Sequence, residues 1–228
     1  MREMQNFEEH GFAIISDAIN GGDILRLSQL VSATQMTRSR AGVRHALKYP
    51  AIAQIARDPR LLAITRGILG CAALPFRATL FDKSPESNWL VVWHQDTALP
   101  LRTKRETPGW GPWSVKDGVI YAHAPSRVLG HVLALRVHLD NSTGENGPLR
   151  VLPGTHKMGV LDDSVIHELA ETTTPVNCLV PRGGVMAMRP LLVHASSKSQ
   201  SEQQRRVLHI EYAVSTEIAG DGLELAVA

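Results

Sequence analysis

An imidazole and a carboxylate stand two positions apart in Trp93-His94-Gln95-Asp96, where the apolar run Trp89-Leu90-Val91-Val92-Trp93 ends. In a strand, side chains two apart share a face. His94 and Asp96 would then project together while Trp93 and Gln95 point away. Such a pair offers two ligands to one metal ion. A further histidine from a neighbouring strand would give two histidines and one carboxylate on one side of the ion, which leaves the opposite positions open and suits non-haem Fe(II). The pair alone is equally compatible with an imidazole bonded to its neighbour at a strand end.

His194 closes a second apolar strand, Met188-Arg189-Pro190-Leu191-Leu192-Val193-His194, and is the candidate third ligand. In the last strand Arg205, Val207, His209 and Glu211 share one face, and Arg206, Leu208, Ile210 and Tyr212 the other. The second face is more apolar and is expected to pack on helices, which turns Arg205 inward. Leu133, Leu135, Val137 and Leu139 repeat the pattern, with Arg136 and His138 opposite. Guanidinium groups facing a closed barrel need an anion, because an unpaired buried charge is costly; a dicarboxylate co-substrate would serve. A solvated sheet surface is the alternative, and the commoner surroundings of arginine.

The elements that must position these residues follow a simple order. "GFAIIS" (11–16) reads as a short strand. A helix is expected after Gly21-Gly22-Asp23, and another in "RDPRLLAITRGILG", where Asp58 caps, Pro59 opens and Gly70 closes. From about residue 75 the pattern changes to short strands: 76–82, 88–96, 131–140, 148–154, 177–183, 184–195 and 206–214. Helices followed by strands predict a mainly β domain spanning 1–228, a barrel or jelly roll with the N-terminal helices on one outer face. Residues 97–130 hold prolines, tryptophans and no clean periodicity. Their aromatic content argues for an ordered, lid-like insertion.

Composition narrows the function classes. The chain has 228 residues, 43% hydrophobic, with 24 basic against 22 acidic side chains and no like-charge block, so neither nucleic acid nor a membrane surface is an expected partner. Cys71 and Cys178 form no CxxC pattern and read as buried thiols of a reducing compartment. No run is long and apolar enough for a leader or a membrane span. A cytoplasmic protein acting on a small molecule is expected; oligomeric state is not legible.

Three segments taken together, "WHQD" (93–96), "NGPLRVLPGTHK" (146–157) and "RPLLVHASS" (189–197) with Arg205-Arg206, resemble the phytanoyl-CoA dioxygenase family of Fe(II)/2-oxoglutarate-dependent oxygenases. The resemblance runs from about Phe7 to Tyr212, in the family's order. It implies a double-stranded β-helix of cupin-like type, with His94, Asp96 and His194 as iron ligands. Arg205, eleven residues beyond His194, would pair with the distal carboxylate of 2-oxoglutarate, and Ser196 would bond the same group. Thr79 and Arg136 fall where family members line the co-substrate pocket. Two positions depart from the family's habits: Ser199, where asparagine is common, and Gly183-Gly184, where Gly-Asp is common. The resemblance implies use of iron, 2-oxoglutarate and dioxygen to hydroxylate an unactivated C–H bond, and the presence of Asp96 favours hydroxylation over halogenation. The family name does not fix a CoA thioester as substrate. In the lid, Trp110, Trp113 and Tyr121 are candidates to wall a substrate pocket, and Arg102 to meet a carboxylate or phosphate; pinning of the loop and surface solvation are the competing readings. The rival functions are a cupin-like metal enzyme without 2-oxoglutarate and a non-catalytic small-ligand barrel.

Overall fold

A computed structural model describes residues 7–37, 42–218 and 220–228. The helices of the first third form as their caps dictate. Helix α1 (Gly21–Ala33) is capped by Asn20, whose side chain accepts from the Asp23 amide, so the cap falls one residue before the glycine pair. Helix α2 (Pro50–Ala56) and helix α3 (Pro59–Leu69) both open on proline. Asp58 accepts from the Arg60 amide, and Gly70 ends α3 in the left-handed conformation. Cys71 follows in this turn and is exposed, unlike the buried Cys178; a thiol just past a helix cap has no core to enter.

All strand pairings are antiparallel. A six-stranded sheet runs β1 (Phe12–Ile15), β11 (Val185–Met188), β8 (Val132–His138), β13 (Arg205–Ala213), β3 (Leu74–Lys83), β2 (Gly42–Val43). A four-stranded sheet runs β10 (Val176–Cys178), β9 (Leu149–Val151), β12 (His194–Ser196), β4 (Val91–His94). β14 (Glu217–Ile218) and β15 (Leu223–Glu224) make a separate pair.

Strand alternation divides the large sheet into two chemistries. Leu133, Leu135 and Val137 of β8 join Leu208, Ile210 and Tyr212 of β13 in one core with Ile24, Val31, Ile52, Ile55 and Leu61 from the helices. The Tyr212 hydroxyl is satisfied within that core by donating to the Ala56 carbonyl at 2.9 Å. The other face of the same strands carries Arg136, His209 and Glu211, all buried.

Residues 97–130 fold into a three-stranded sheet, β5 (Ala98–Leu101), β7 (Val119–His123), β6 (Trp113–Lys116), followed by a single helical turn α4 (Ser126–Leu129). The expected strand over 184–195 is two strands, β11 and β12, parted by a turn after Arg189, where proline 190 interrupts the ladder. A helix absent from the sequence expectation, α5 (Asp163–Thr172), lies against β4; it buries Ile166 and packs Leu169 and Ala170 beside it. Among the described residues no helix is long and apolar enough to cross a membrane.

Candidate metal centre and its cavity

β4 and β12 pair so that His94 and His194 are directly opposite, and their rings lie 4.2 Å apart between centroids. A bulge separates this pair from the next, Ser196 with Val91, and so resets the register of β4 just before the site. Gln95, between the two candidate ligands, is tied on every polar atom: Nε2 donates to the Gly159 and Leu191 carbonyls, and Oε1 accepts from the Leu161 amide. The Asp96 amide donates to the Pro190 carbonyl at 2.9 Å, fixing the turn that delivers the carboxylate.

The two imidazoles are held alike. His94 Nδ1 lies 2.8 Å from the Val92 carbonyl, and His194 Nδ1 lies 2.8 Å from the Leu192 carbonyl. A carbonyl only accepts, so Nδ1 carries the proton in both rings and each Nε2 is left as the donor atom for a metal. Both Nε2 atoms face Asp96, at 3.6 Å for His94 and 3.5 Å for His194. These separations are too long for good hydrogen bonds, so three donors converge without satisfying one another. Among the described residues His94, Asp96 and His194 form the one group of this type able to hold an ion. Burial opposes the Asp96 carboxylate, but positive charge on the facing His194 and His94 rings, present when Nε2 is protonated, holds it well below the usual carboxylate range; a metal ion would take the place of that charge. Burial pushes His194 down to about 4, the neutral state a metal ligand needs.

The triad opens into a cavity of about 530 Å³ whose lining includes Thr79, Lys83, Arg136, Ser196 and Arg205. Its inner end is cationic without a counter-charge. Arg205 is buried; its Nε donates to the Asn146 carbonyl at 3.1 Å and its Nη1 has no partner. Arg136 is buried too, with Nη1 3.2 Å from His209 Nδ1 and Nε unpartnered. Lys83 is fully buried and donates to Ser196 Oγ at 2.9 Å and to the Ser197 carbonyl at 2.6 Å. Burial pushes both guanidinium groups down to about 10, while burial and the two arginines push Lys83 down to about 7. Neutral oxygens, one imidazole and the rings of Trp89 under Lys83 and Phe81 under Arg136 serve these three basic groups, none of which has an ion-pair partner; buried in this way they destabilise the protein unless an anion joins them.

Gly147, from the Asn-Gly-Pro-Leu segment, shapes this end. Its φ is +66°, and a Cβ there would fall 2.4 Å from the Ser197 carbonyl oxygen and 3.1 Å from Lys83 Nζ. Its own carbonyl accepts from Ser196 Oγ at 2.9 Å.

Sequence reasoning thus named residues that the fold gathers around one cavity: His94, Asp96, His194, Arg205, Ser196, Thr79 and Arg136. Tyr121 lines it as well, with its hydroxyl 2.9 Å from His45 Nε2. The other lid candidates lie outside the cavity. Trp110 is buried in a separate core and donates Nε1 to Asp221 at 2.8 Å. Trp113 packs on the same core, and Arg102 is exposed beside Glu224 at 3.1 Å. The His138 ring is buried with neither nitrogen hydrogen-bonded and does not line the cavity. Sequence reasoning missed Lys83, His209 and the Arg77–Glu211 pair. Arg77 engages Glu211 through two nitrogens and donates to the Ala98 carbonyl at 2.7 Å. The available signal was alternation along "FRATLFDK", which sets Arg77, Thr79, Phe81 and Lys83 on one face.

Comparison with known proteins agrees with this architecture. The chain is 26% identical over 186 residues to the L-proline trans-4-hydroxylase of Streptomyces griseoviridis, covering 70% of this chain and 62% of that protein. It is 25% identical over 174 residues to the ectoine dioxygenase of Bordetella parapertussis, covering 68% and 49%. The chain therefore spans less than two thirds of the length of these relatives, and about half in the case of the ectoine dioxygenase. The crystal structure of EctD from S. alaskensis with 2-oxoglutarate and 5-hydroxyectoine superposes with a TM-score of 0.71 at 19% identity, covering 93% of this chain and 75% of that one. AviO1 from Streptomyces viridochromogenes Tue57 gives 0.69 at 20% identity, covering 96% and 95%. Residues 7–207 match the phytanoyl-CoA dioxygenase family over most of the sequence, and the chain belongs to that family.

Proposed function

We propose that the chain is an Fe(II)- and 2-oxoglutarate-dependent dioxygenase that hydroxylates a small organic molecule. One observation carries the reading: two Nε2 atoms and a carboxylate converge at one point of a cavity whose inner end holds three buried cations without an acid. A metal alone would leave those cations uncompensated, and an anion alone would leave the histidine pair without a purpose. A keto-dicarboxylate meets both needs, with one end at the metal and the other at the cations. The fit is one of donor chemistry: nitrogen and oxygen ligands suited to Fe(II), and guanidinium and ammonium donors suited to a carboxylate.

His94, Asp96 and His194 would hold the iron. With 2-oxoglutarate and dioxygen, iron supplies the hydroxylation of an unactivated C–H bond, with release of succinate and carbon dioxide. The protein's own contribution is positional. The Val92 and Leu192 carbonyls orient the imidazoles, and Gln95 anchors the turn that presents Asp96. Arg205, Arg136 and Lys83 would receive the distal carboxylate, with Ser196 and Thr79 beside them. We further read the 228 residues as one oxygenase domain, a double-stranded β-helix with the N-terminal helices on one outer face, 97–130 as its lid-like insertion, and its setting as cytoplasmic. The activities named for the relatives support a small-molecule substrate.

The test needs no substrate. Metal-free protein is loaded anaerobically with Fe(II) and 2-oxoglutarate, and the weak visible band of a chelated keto acid is recorded for wild type and His94→Ala. A band that vanishes in the variant is expected. Bound iron without a band would favour a metal enzyme that does not use 2-oxoglutarate, and no bound iron would favour a ligand-binding barrel.

A further inference from the structure

The cavity has an outer part, lined by exposed side chains, beyond the residues assigned to metal and co-substrate. Leu90 and Val92 line it near His94 while 56% and 69% exposed. Arg44 and Lys116, both exposed, line it too. Lys116 Nζ lies over the cavity-lining Tyr121 ring, 5.0 Å from its centre, and the Arg77 guanidinium is 5.7 Å from the same ring. Arg77 is already committed to Glu211. Among the described residues neither Arg44 nor Lys116 has an ion-pair partner. Asp117, the nearest acid in sequence, lines a neighbouring cleft that Arg44 also borders, and does not line this cavity. Burial above all, then Arg77 and Arg44, hold the Lys116 ammonium below its ordinary value against the opposing pull of Asp96.

The charge balance of the whole cavity points the same way. Six basic side chains line it, Arg44, Arg77, Lys83, Lys116, Arg136 and Arg205, against two carboxylates, Asp96 and Glu211. A divalent metal and a dianionic co-substrate cancel each other, so their arrival leaves the excess in place. The inner three cations are met by the co-substrate's distal carboxylate; the outer two are not. A positive outer rim that also carries exposed aliphatic side chains selects for negative charge joined to an apolar body.

We propose that the primary substrate is a small organic carboxylate with an apolar body, its carboxylate received by Arg44 and Lys116 and its apolar part set against Leu90 and Val92, beside His94 and Asp96. This rests on the oxygenase reading above, which assigns the inner cations to 2-oxoglutarate.

The probes are cyclohexanecarboxylate, cyclohexanecarboxamide, cyclohexylmethylamine and cyclohexylmethyl phosphate, one size with four head groups. Full-length protein is saturated anaerobically with Fe(II) and 2-oxoglutarate, the chelate band is recorded, and each probe is titrated by calorimetry and by its perturbation of the band. The carboxylate is expected to bind at least about tenfold tighter than the amide, and the amine not to bind. The preference should shrink to about threefold or less in Arg44→Ala/Lys116→Ala, whose folding is checked by its melting temperature. Lys116→Glu should shift the preference toward the amine. Equal binding of carboxylate and amide, no binding of either, or a preference that survives the double substitution overturns the proposal. Tighter binding of the phosphate overturns the carboxylate assignment and gives the rim to phosphate monoesters. Absence of the chelate band counts against the oxygenase reading itself; its presence without an anion preference counts against the rim alone.

Discussion

Lys83 and Arg205 are cross-strand partners, directly opposite in the β3–β13 ladder, and both are buried. Like charges placed opposite one another destabilise a sheet, and in a closed interior the cost rises because little solvent screens them. The same ladder sets Glu211 opposite Arg77, six residues along β13. One face of two strands thus runs from an uncompensated cation pair to a compensated ion pair, with His209 and Thr79 between them. The uncompensated end is where a ligand's charge is needed.

Replacing Lys83 by methionine keeps its length and removes its charge. A charge-assisted hydrogen bond contributes about 1.5–3 kcal/mol, so the dissociation constant for 2-oxoglutarate should rise about ten- to hundredfold, read anaerobically from the chelate band. Metal-free stability should hold or increase, because a desolvated ammonium leaves the core. Unchanged affinity would remove Lys83 from the co-substrate's contacts.

The same lysine predicts a pH dependence. Without ligand its pKa lies at about 7 rather than 10.5, through burial, Arg205 and Arg136. Above pH 7 the ligand-free protein has lost this proton, while a bound carboxylate favours the ammonium. Binding then takes up a proton, and affinity for 2-oxoglutarate should fall as pH rises from 7 to 9, by up to about tenfold per unit. Between about 7 and 10.5 the unfolded chain holds more protons than the folded one, so this group makes metal-free stability rise with pH over that window. Lys83→Met should flatten both profiles; a wild-type binding profile already flat over this range would contradict the shift.

The difference between what the sequence disclosed and what it hid has a physical origin. His94 and Asp96 were legible because a two-residue spacing is a local property, although β4 ends at His94 and Asp96 stands in the turn beyond it; His194 and Arg205 were legible because one short loop separates their strands, although His194 opens β12 rather than closing a strand. Lys83 was not, since a lysine at the end of "LFDK" looks like any strand-end charge until β13 is laid beside it. The Arg77–Glu211 pair joins positions 134 residues apart and depends on that register. Trp110 and Trp113 attracted notice by type, but a tryptophan wall and a tryptophan anchor have the same local sequence. The three-stranded sheet of residues 97–130 was hidden by strands of four or five residues interrupted by proline.

Gly147 is a sensitive point for both fold and ligand. Alanine there would meet a positive φ and a backbone oxygen at 2.4 Å. The expected cost is more than about 1 kcal/mol, seen as a lower denaturation midpoint. The Ser196 and Lys83 contacts around it should loosen together, so affinity for 2-oxoglutarate should drop as well. A variant with unaltered midpoint and affinity would mean that the 146–148 turn relaxes freely.

Arg77 and Glu211 should behave as a unit. Glu211 is 1% exposed, and burial pushes its carboxyl up; burial alone would lower the Arg77 pKa, but the carboxylate beside it raises it. Arg77→Met leaves a buried carboxylate without its partner and should cost about 3–5 kcal/mol. Arg77→Met combined with Glu211→Leu removes both charges and should recover most of that loss. The double-mutant cycle, measured by denaturant unfolding of metal-free protein, should then give a coupling energy of at least about 3 kcal/mol, since each single variant strands a buried charge that the double variant does not. Additive losses would show that the pair is held by the sheet rather than holding it. The pair also spans β3 and β13 beside the Asp96 turn, through the bond from Arg77 to the Ala98 carbonyl. Arg77→Met should therefore weaken Fe(II) binding as well as stability, whereas a loss of stability with iron affinity intact would confine its role to the fold.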